Sequence, residues 1–491
     1  MLTAVEQTRL RVSKNTDAKK KSQLGQFFTP ASIAQFMASL FADGGSSEYR
    51  LLDAGAGIGS LSSAFLERCI NGELICKNIA ITAFELDSHI HEELDGLLAS
   101  YKDRLPLAYE ILGGDFIEQA VNKIQFDHGH GFTHAILNPP YKKIGSNSCH
   151  RLLLRQAGIE TVNLYTAFVA LSLAMMAPGG QIVAIIPRSF CNGPYYRPFR
   201  DFVLKSAAIR HIHLFGLRNK AFKDDEVLQE NIILLLERGS PQGSVTVTTS
   251  TDDSFADLMA HVHPFDRIVF PGDAERFIHI PTSAGRNAIE LSSAVHYSLD
   301  ELGLKVSTGP VVDFRMKAHL RSMPEPGTVP LLYPAHFVGR NIEWPRLGIK
   351  KPNAIQRNAE TEKYLYPDGF YCVVRRFSSK EEKRRIVAGV VRPGTFADAE
   401  ALGLENHLNV YHENKRGLPE ALAHGLVMYL STTGVDENFR RSSGHTQVNA
   451  TDLRMMKYPS RNALIKLGEW ALRHGEPTQA EIDAQLDALI A

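Results

Sequence analysis

The stretch LLDAGAGIG, residues 51–59, decides the reading of this chain. An apolar run reaches Asp53 and passes into a loop with glycines at 55, 57 and 59, and helical spacing follows over 61–69. Glycines let a backbone turn through positive φ and approach a ligand closely, and the following helix presents free amide groups. The spacing is GxGxG rather than the GxGxxG of dinucleotide binders, and no GxxxxGK[ST] phosphate loop occurs.

Working outward, short apolar runs at 49–54, 79–85, 109–113, 134–137, 181–187 and 231–237 read as buried strands, with helical spacing at 61–69 and 164–176. Such alternation predicts a doubly wound, mostly parallel sheet covered on both faces, whose ligands sit beyond the carboxyl ends of the strands. Beyond 240 the pattern changes to short β-like pieces and Pro/Gly turns, and 463–490 reads as two short helices. The predicted division is a catalytic α/β domain at 1–240 and an α+β domain at 241–491, the boundary falling between 240 and 300.

Composition narrows the function. The 491 residues are 44% apolar and 22% charged, with 54 basic and 54 acidic side chains, which excludes a histone-like binder acting through bulk charge. The charge is uneven, with 23 basic against 17 acidic residues over 301–460. Arg375, Arg376, Lys380, Lys383, Arg384 and Arg385 cluster there, either as a solvated helix face or as a phosphate-contacting patch. The longest apolar stretch, about 164–177, is too short to span a membrane, and the polar, basic start has no signal-peptide core. Five scattered cysteines without a CxxC pair fit a reducing cytoplasm. The His-x-His pairs lack helical zinc spacing, so no metal site is expected.

Three further strand ends carry chemistry. Glu85, in FELD at the second, can accept both hydroxyls of a ribose, while Asp87 reads as a helix cap. In GDF at the third, Asp115 can accept an adenine amino hydrogen and Phe116 can pack on the ring. The fourth ends in NPPY, Asn138, Pro139, Pro140 and Tyr141. Two prolines make a rigid corner, and the Asn138 side-chain oxygen and Pro139 carbonyl then form paired acceptors for a planar amine beside an aromatic face.

The order QFFTP (26–30), DAGAGIG, FELD, GDF and NPPY resembles the γ arrangement of amino-group DNA methyltransferases, the TaqI-like, adenine-N6-specific enzymes of type II restriction-modification systems. The resemblance covers about 20–240. It implies a class I S-adenosylmethionine-dependent methyltransferase fold followed by a target-recognition domain. It places Thr29, Pro30, Asp53, Gly55, Gly57 and Gly59 at the methionine end of S-adenosylmethionine, Glu85 at the ribose, and Asp115 with Phe116 at the adenine. It assigns the opposite face of the target base to Phe222, with Phe215 in reserve. The segment SGHTQVN at 443–449 resembles part of target-recognition domains, and NPPYKKI with the overall size resembles the modification enzymes of the BsuBI/PstI kind. The implied partners are double-stranded DNA and a cognate restriction endonuclease acting on the same site. Methylation of RNA adenine or of a protein glutamine, and a combined nuclease-methylase (Pro367-Asp368 with Glu381-Glu-Lys383 imitating a PD…ExK string), stay open as alternatives.

Overall fold

Tyr49 and Leu51 point to one side of β1 (Glu48–Ala54), Leu52 and Ala54 to the other, and all four are buried. A central strand with two apolar faces requires a layer on each side. The computed structural model describes residues 2–15, 28–45, 47–126, 131–216, 230–378, 382–394, 399–443 and 446–490. It divides into two units, Met1–Ala284 and Gly285–Ala491.

In the first unit β1 is joined by β2 (Asn78–Phe84), β3 (Leu107–Leu112), β4 (Phe132–Leu137), β5 (Met176–Pro187), β6 (Ala207–Phe215), β7 (Asn231–Arg238), β8 (Val245–Ser250) and β9 (Met259–His263). The sheet order is 3-2-1-4-5-7-6-8-9. The first five strands pair in parallel, whereas β7 runs antiparallel to both β5 and β6. The expected doubly wound sheet is present, with antiparallel β7 in its interior and β6, β8 and β9 continuing beyond it. The change of direction between β1 and β4 creates the crevice where such sheets bind ligands.

The described helices of eight residues or more in this unit are α1 (Leu2–Asn15), α2 (Ala31–Ser39), α3 (Ser60–Ile70), α4 (His91–Ala99), α5 (Phe116–Phe126), α6 (Cys149–Gln156), α7 (Leu164–Ala174) and α8 (Arg197–Ser206). Residues of α2, α3 and α4 form one core with Tyr49, Leu51, Ile81, Val183 and Ile185. Residues of α5, α7 and α8 form the other with Leu52, Ala54, Ile182, Ala184 and Ile186. Val5 and Val12 of α1 pack with Phe28, Ile58 and Ile90, and Glu6 Oε2 accepts the Ala31 amide at 3.0 Å. The N-terminal helix thus fixes the segment that leads through Thr29 into α2.

The first unit does not stop at 240. β8 pairs with β6 and β9 pairs with β8, so residues 241–284, which the sequence pattern assigned to the second domain, complete the sheet of the first. Their short runs and polar threonines hide an edge extension whose partner, β6, is distant in sequence.

The second unit contains a six-stranded sheet and a five-stranded sheet. Helices Glu420–Leu430 and Arg461–His474 cross so closely that a Cβ at Gly425 or Gly468 would run into the carbonyl of Leu464 or Ala421. The two helices read at the C-terminus are this one and Gln479–Ile490.

Candidate active site

Beyond the carboxyl ends of β1 to β4 lies a cavity of about 240 Å³. The loop after β1 forms its floor. Gly57 has φ +57°, and a Cβ there would meet the Phe28 ring at 3.2 Å; Gly59 has φ +84°, and a Cβ would meet Leu94 at 2.8 Å. Only glycine lets this loop turn under Phe28 and deliver the chain into α3. The amides of Gly55 and Ala56 are spent on the Phe84 carbonyl, 2.9 Å from each.

Glu85 follows β2 directly and is 6% exposed. Its carboxylate accepts the Gly57 and Asp87 amides, each at 2.7 Å, and lines the cavity. Burial pushes its pKa up while the two amides pull it down. Asp87 caps the short turn after it by accepting the His89 amide at 3.2 Å. Leu86, 57% exposed between these two acids, supplies an apolar wall.

Asp115 and Phe116 line the cavity beyond β3. Phe116 is also a core residue, with its ring 5.0 Å from Phe84 and 4.6 Å from Phe168. At the end of β4, Asn138 and Pro140 reach the same cavity. The Asn138 amide nitrogen donates to Thr29 Oγ1 at 3.0 Å, and its Oδ1 accepts from the Tyr141 hydroxyl at 3.3 Å.

Thr29, Gly55, Gly57, Glu85, Asp115, Phe116, Asn138 and Pro140 are therefore brought together as cavity walls. Other expected residues stand behind them. Pro30 caps α2, Gly59 caps α3, and Pro139 is buried in the corner. Tyr141 turns its hydroxyl to the Ile185 carbonyl at 3.2 Å and sets its ring edge-on to Tyr165 at 6.2 Å. Asp53 is fully buried beneath the loop, accepting from the Ser62 hydroxyl at 2.6 Å, while its Oδ1 has no hydrogen-bond partner. Burial, reinforced by the nearby Glu85 charge, pushes its pKa up to about 7 against the pull of Ser62. Phe222 and Lys380 lie outside the described residues.

Sequence reasoning did not single out Phe28, Lys142, His150, Leu164 and Phe168, which also line the cavity. Phe28 sits inside QFFTP, so its neighbours were a signal; His150 and Phe168 come from α6 and α7 and have no local signature.

Residues 73–222 match the Eco57I restriction-modification methylase family. Over its full length the chain is 54% identical to Type II methyltransferase M.BsuBI of Bacillus subtilis, covering 98% of that protein. It is 40% identical to Type II methyltransferase M.PstI of Providencia stuartii, with 98% of this chain and 95% of that one aligned. The chain belongs to the Type II restriction-modification methyltransferases. Among solved structures, the Type IIL restriction-modification enzyme MmeI in complex with DNA is similar in fold, with TM-score 0.51 at 10% identity over 99% of this chain and 75% of that one.

The methyltransferase thus methylates DNA at specific sites with S-adenosylmethionine as its cofactor. Its cavity fits that group. Carboxylates at Glu85 and Asp115 suit hydroxyl and amino donors, and apolar walls at Leu86 and Phe168 suit a purine.

In the second unit the basic cluster divides. Lys383 is exposed. Arg375 lies 3.6 Å from Glu382, Arg376 donates to the Asn406 carbonyl at 3.2 Å, and Arg384 to the Thr432 carbonyl at 3.0 Å. Arg385 is 1% exposed and donates to the Ser378 and Ser443 hydroxyls, each at 3.2 Å. A guanidinium enclosed in this way holds the fold, so the expected phosphate contact is corrected for Arg385; in the sequence a buried arginine looks like its exposed neighbours. The SGHTQVN segment joins the same structure, with the Ser378 amide on the Thr446 carbonyl at 3.0 Å and the Val448 amide on the Arg376 carbonyl at 2.7 Å. No helix among the described residues is long and apolar enough to cross a membrane.

Proposed function

We propose that the protein methylates N6 of an adenine flipped out of duplex DNA, in the cytoplasm, as the modification partner of a restriction endonuclease reading the same site. The observation that supports this reading is the Asn138 amide, held between Thr29 and Tyr141 on the wall of a cavity that also contains Glu85 and Asp115.

S-adenosylmethionine, when bound, supplies an electrophilic methyl carbon on a sulfonium sulfur. Glu85 would accept its ribose hydroxyls, Asp115 its adenine amino hydrogens, and the turn from Gly55 to Gly59 would seat its methionine end. Asn138 Oδ1 and the Pro139 carbonyl would accept the two amino hydrogens of the target base, leaving the N6 lone pair free. Acceptance also disperses the positive charge that develops on N6 as the N–C bond forms and the S–C bond breaks, with S-adenosylhomocysteine leaving and one amino proton released to solvent. Extruding the base costs a few kcal/mol, which stacking on Phe222, from the sequence, and on Tyr141, whose ring would have to turn from behind the cavity wall, would offset. The reading needs no covalent enzyme intermediate, and among the described residues no cysteine lines the cavity.

Transfer of tritium from labelled S-adenosylmethionine to duplex DNA of varied sequence, followed by nucleoside separation, tests this. The label is expected in N6-methyladenine. Label in a methylcytosine would overturn the choice of base, and preference for RNA or a protein amide the choice of polymer.

A further inference from the structure

Asp115 is held at both oxygens. Oδ1 accepts the Glu118 amide at 3.1 Å at the start of α5, and Oδ2 lies 2.8 Å from His150 Nε2. An ionised carboxylate has no hydrogen to give, so the imidazole donates. Both side chains line the cavity. His150 belongs to α6, which follows the Asn138–Tyr141 corner and packs through Leu154 into the same core as Ile117 and Val121 of α5. The chain between is anchored too, with the Ile144 amide on the Val162 carbonyl and the Leu164 amide on the Lys142 carbonyl, each at 2.8 Å.

The terminal torsion of an aspartate is soft and roughly two-fold, so one helix-capping bond leaves the second oxygen free to swing. A second donor from a different helix removes that freedom. Each oxygen keeps a lone pair, and the carboxylate plane is set before any ligand arrives. We propose that His150 is a cofactor-positioning residue: it aims Asp115 at the adenine amino group of S-adenosylmethionine and links the adenosine end of the cavity to the segment that follows the acceptor corner. The proposal rests on the reading of Asp115 as the adenine acceptor.

The test compares binding of S-adenosylhomocysteine and of its 6-deaminated analogue, S-inosylhomocysteine, to the full chain by titration calorimetry. The wild type is expected to prefer the adenosyl form. His150→Ala is expected to weaken adenosyl binding about tenfold and leave inosyl binding within about twofold, so the preference collapses. His150→Gln keeps an amide donor near the Nε2 position and is expected to restore most of it. In turnover, His150→Ala should raise KM for S-adenosylmethionine with kcat nearly unchanged, and should add nothing in an Asp115→Ala background. Unchanged inosyl binding also shows that the variant is folded. If Asp115→Ala, which has no acceptor, keeps the adenosyl preference, the assignment of the adenine pocket fails. If Asp115→Ala loses it while His150→Ala keeps it, or if His150→Gln is as weak as His150→Ala, the role of His150 alone is overturned.

Discussion

The Asn138 amide nitrogen donates to the Thr29 hydroxyl at 3.0 Å, across 109 positions of sequence. Both ends of the Asn138 amide are held, the nitrogen by Thr29 and the oxygen by Tyr141. The Asn138 oxygen has two lone pairs and lies one residue before the Pro139 carbonyl, the pair expected to accept the target amine. The segment expected to cover the cofactor therefore also sets the orientation of the group expected to hold the target amine.

Thr29→Ala should remove the acceptor and let the Asn138 amide turn, while Thr29→Ser should preserve it. One neutral hydrogen bond is worth about 1 kcal/mol, so kcat is expected to fall roughly five- to tenfold in the alanine variant. Single-turnover methylation of a duplex carrying the target site, with both variants at saturating cofactor, measures this. Equal rates for alanine and serine would show that the bond does not position Asn138.

Asn138→Ala should lower kcat about a hundredfold or more, because an acceptor that acts on the developing charge is lost. Binding of S-adenosylhomocysteine should fall less than kcat, since Glu85 and Asp115, which line the same cavity, would still hold its ribose and adenine. A variant that methylates at the wild-type rate would remove this corner from the chemistry.

Asp53 makes stability depend on pH in a predictable direction. Its pKa is about 7 in the fold, against an ordinary 3.8. Between those values the folded chain holds a proton that the unfolded chain has lost, so Asp53 contributes stability at low pH and that contribution is lost as pH rises toward 7. Asp53→Asn cannot ionise. The melting temperature of the variant relative to the wild type should therefore rise from pH 5 to pH 7 and level off by pH 8. Scanning calorimetry at these pH values checks it, and a constant offset would place the carboxylate in contact with water.

Lys383 and Arg385 should separate cleanly. Lys383→Ala is expected to weaken duplex binding similarly for all sequences and to reduce the slope of log affinity against log salt by about 0.9, the share of one phosphate. Arg385→Ala should leave that slope alone and lower the melting temperature by several degrees, because Ser378 and Ser443 lose a buried partner. Fluorescence anisotropy across a salt series, paired with thermal melts, distinguishes them. A changed salt slope in the Arg385 variant would contradict its enclosure.

Much of the first unit was legible because its motifs are local. A strand that ends in glycines at 55, 57 and 59, an acid directly after β2, and two prolines after β4 each constrain the backbone at the spot where they occur. The same locality explains what was missed. β6 alternates histidines with aliphatic residues, and His211 and His213 look polar in a list of letters; folded, His213 is buried, and both imidazoles pair with Thr248 on β8, whose place in the sheet sets their environment. The pairing of 245–263 with β6 was hidden for that reason as well, while the division at 284 lies inside the expected 240–300.

The amino-acid order by itself determined which chemical groups stand at the ends of β1 to β4, since backbone φ at glycine and proline and the end of an apolar run depend on near neighbours alone. Tertiary structure decided which of those groups face the cavity. Asp53 is covered by α3 and withdraws beneath the loop, Arg385 is enclosed by Ser378 and Ser443, and His150 arrives from a helix of its own to hold Asp115. Facing is set by the layer packed against an element, and that layer is brought there by burial of apolar surface over long sequence separations.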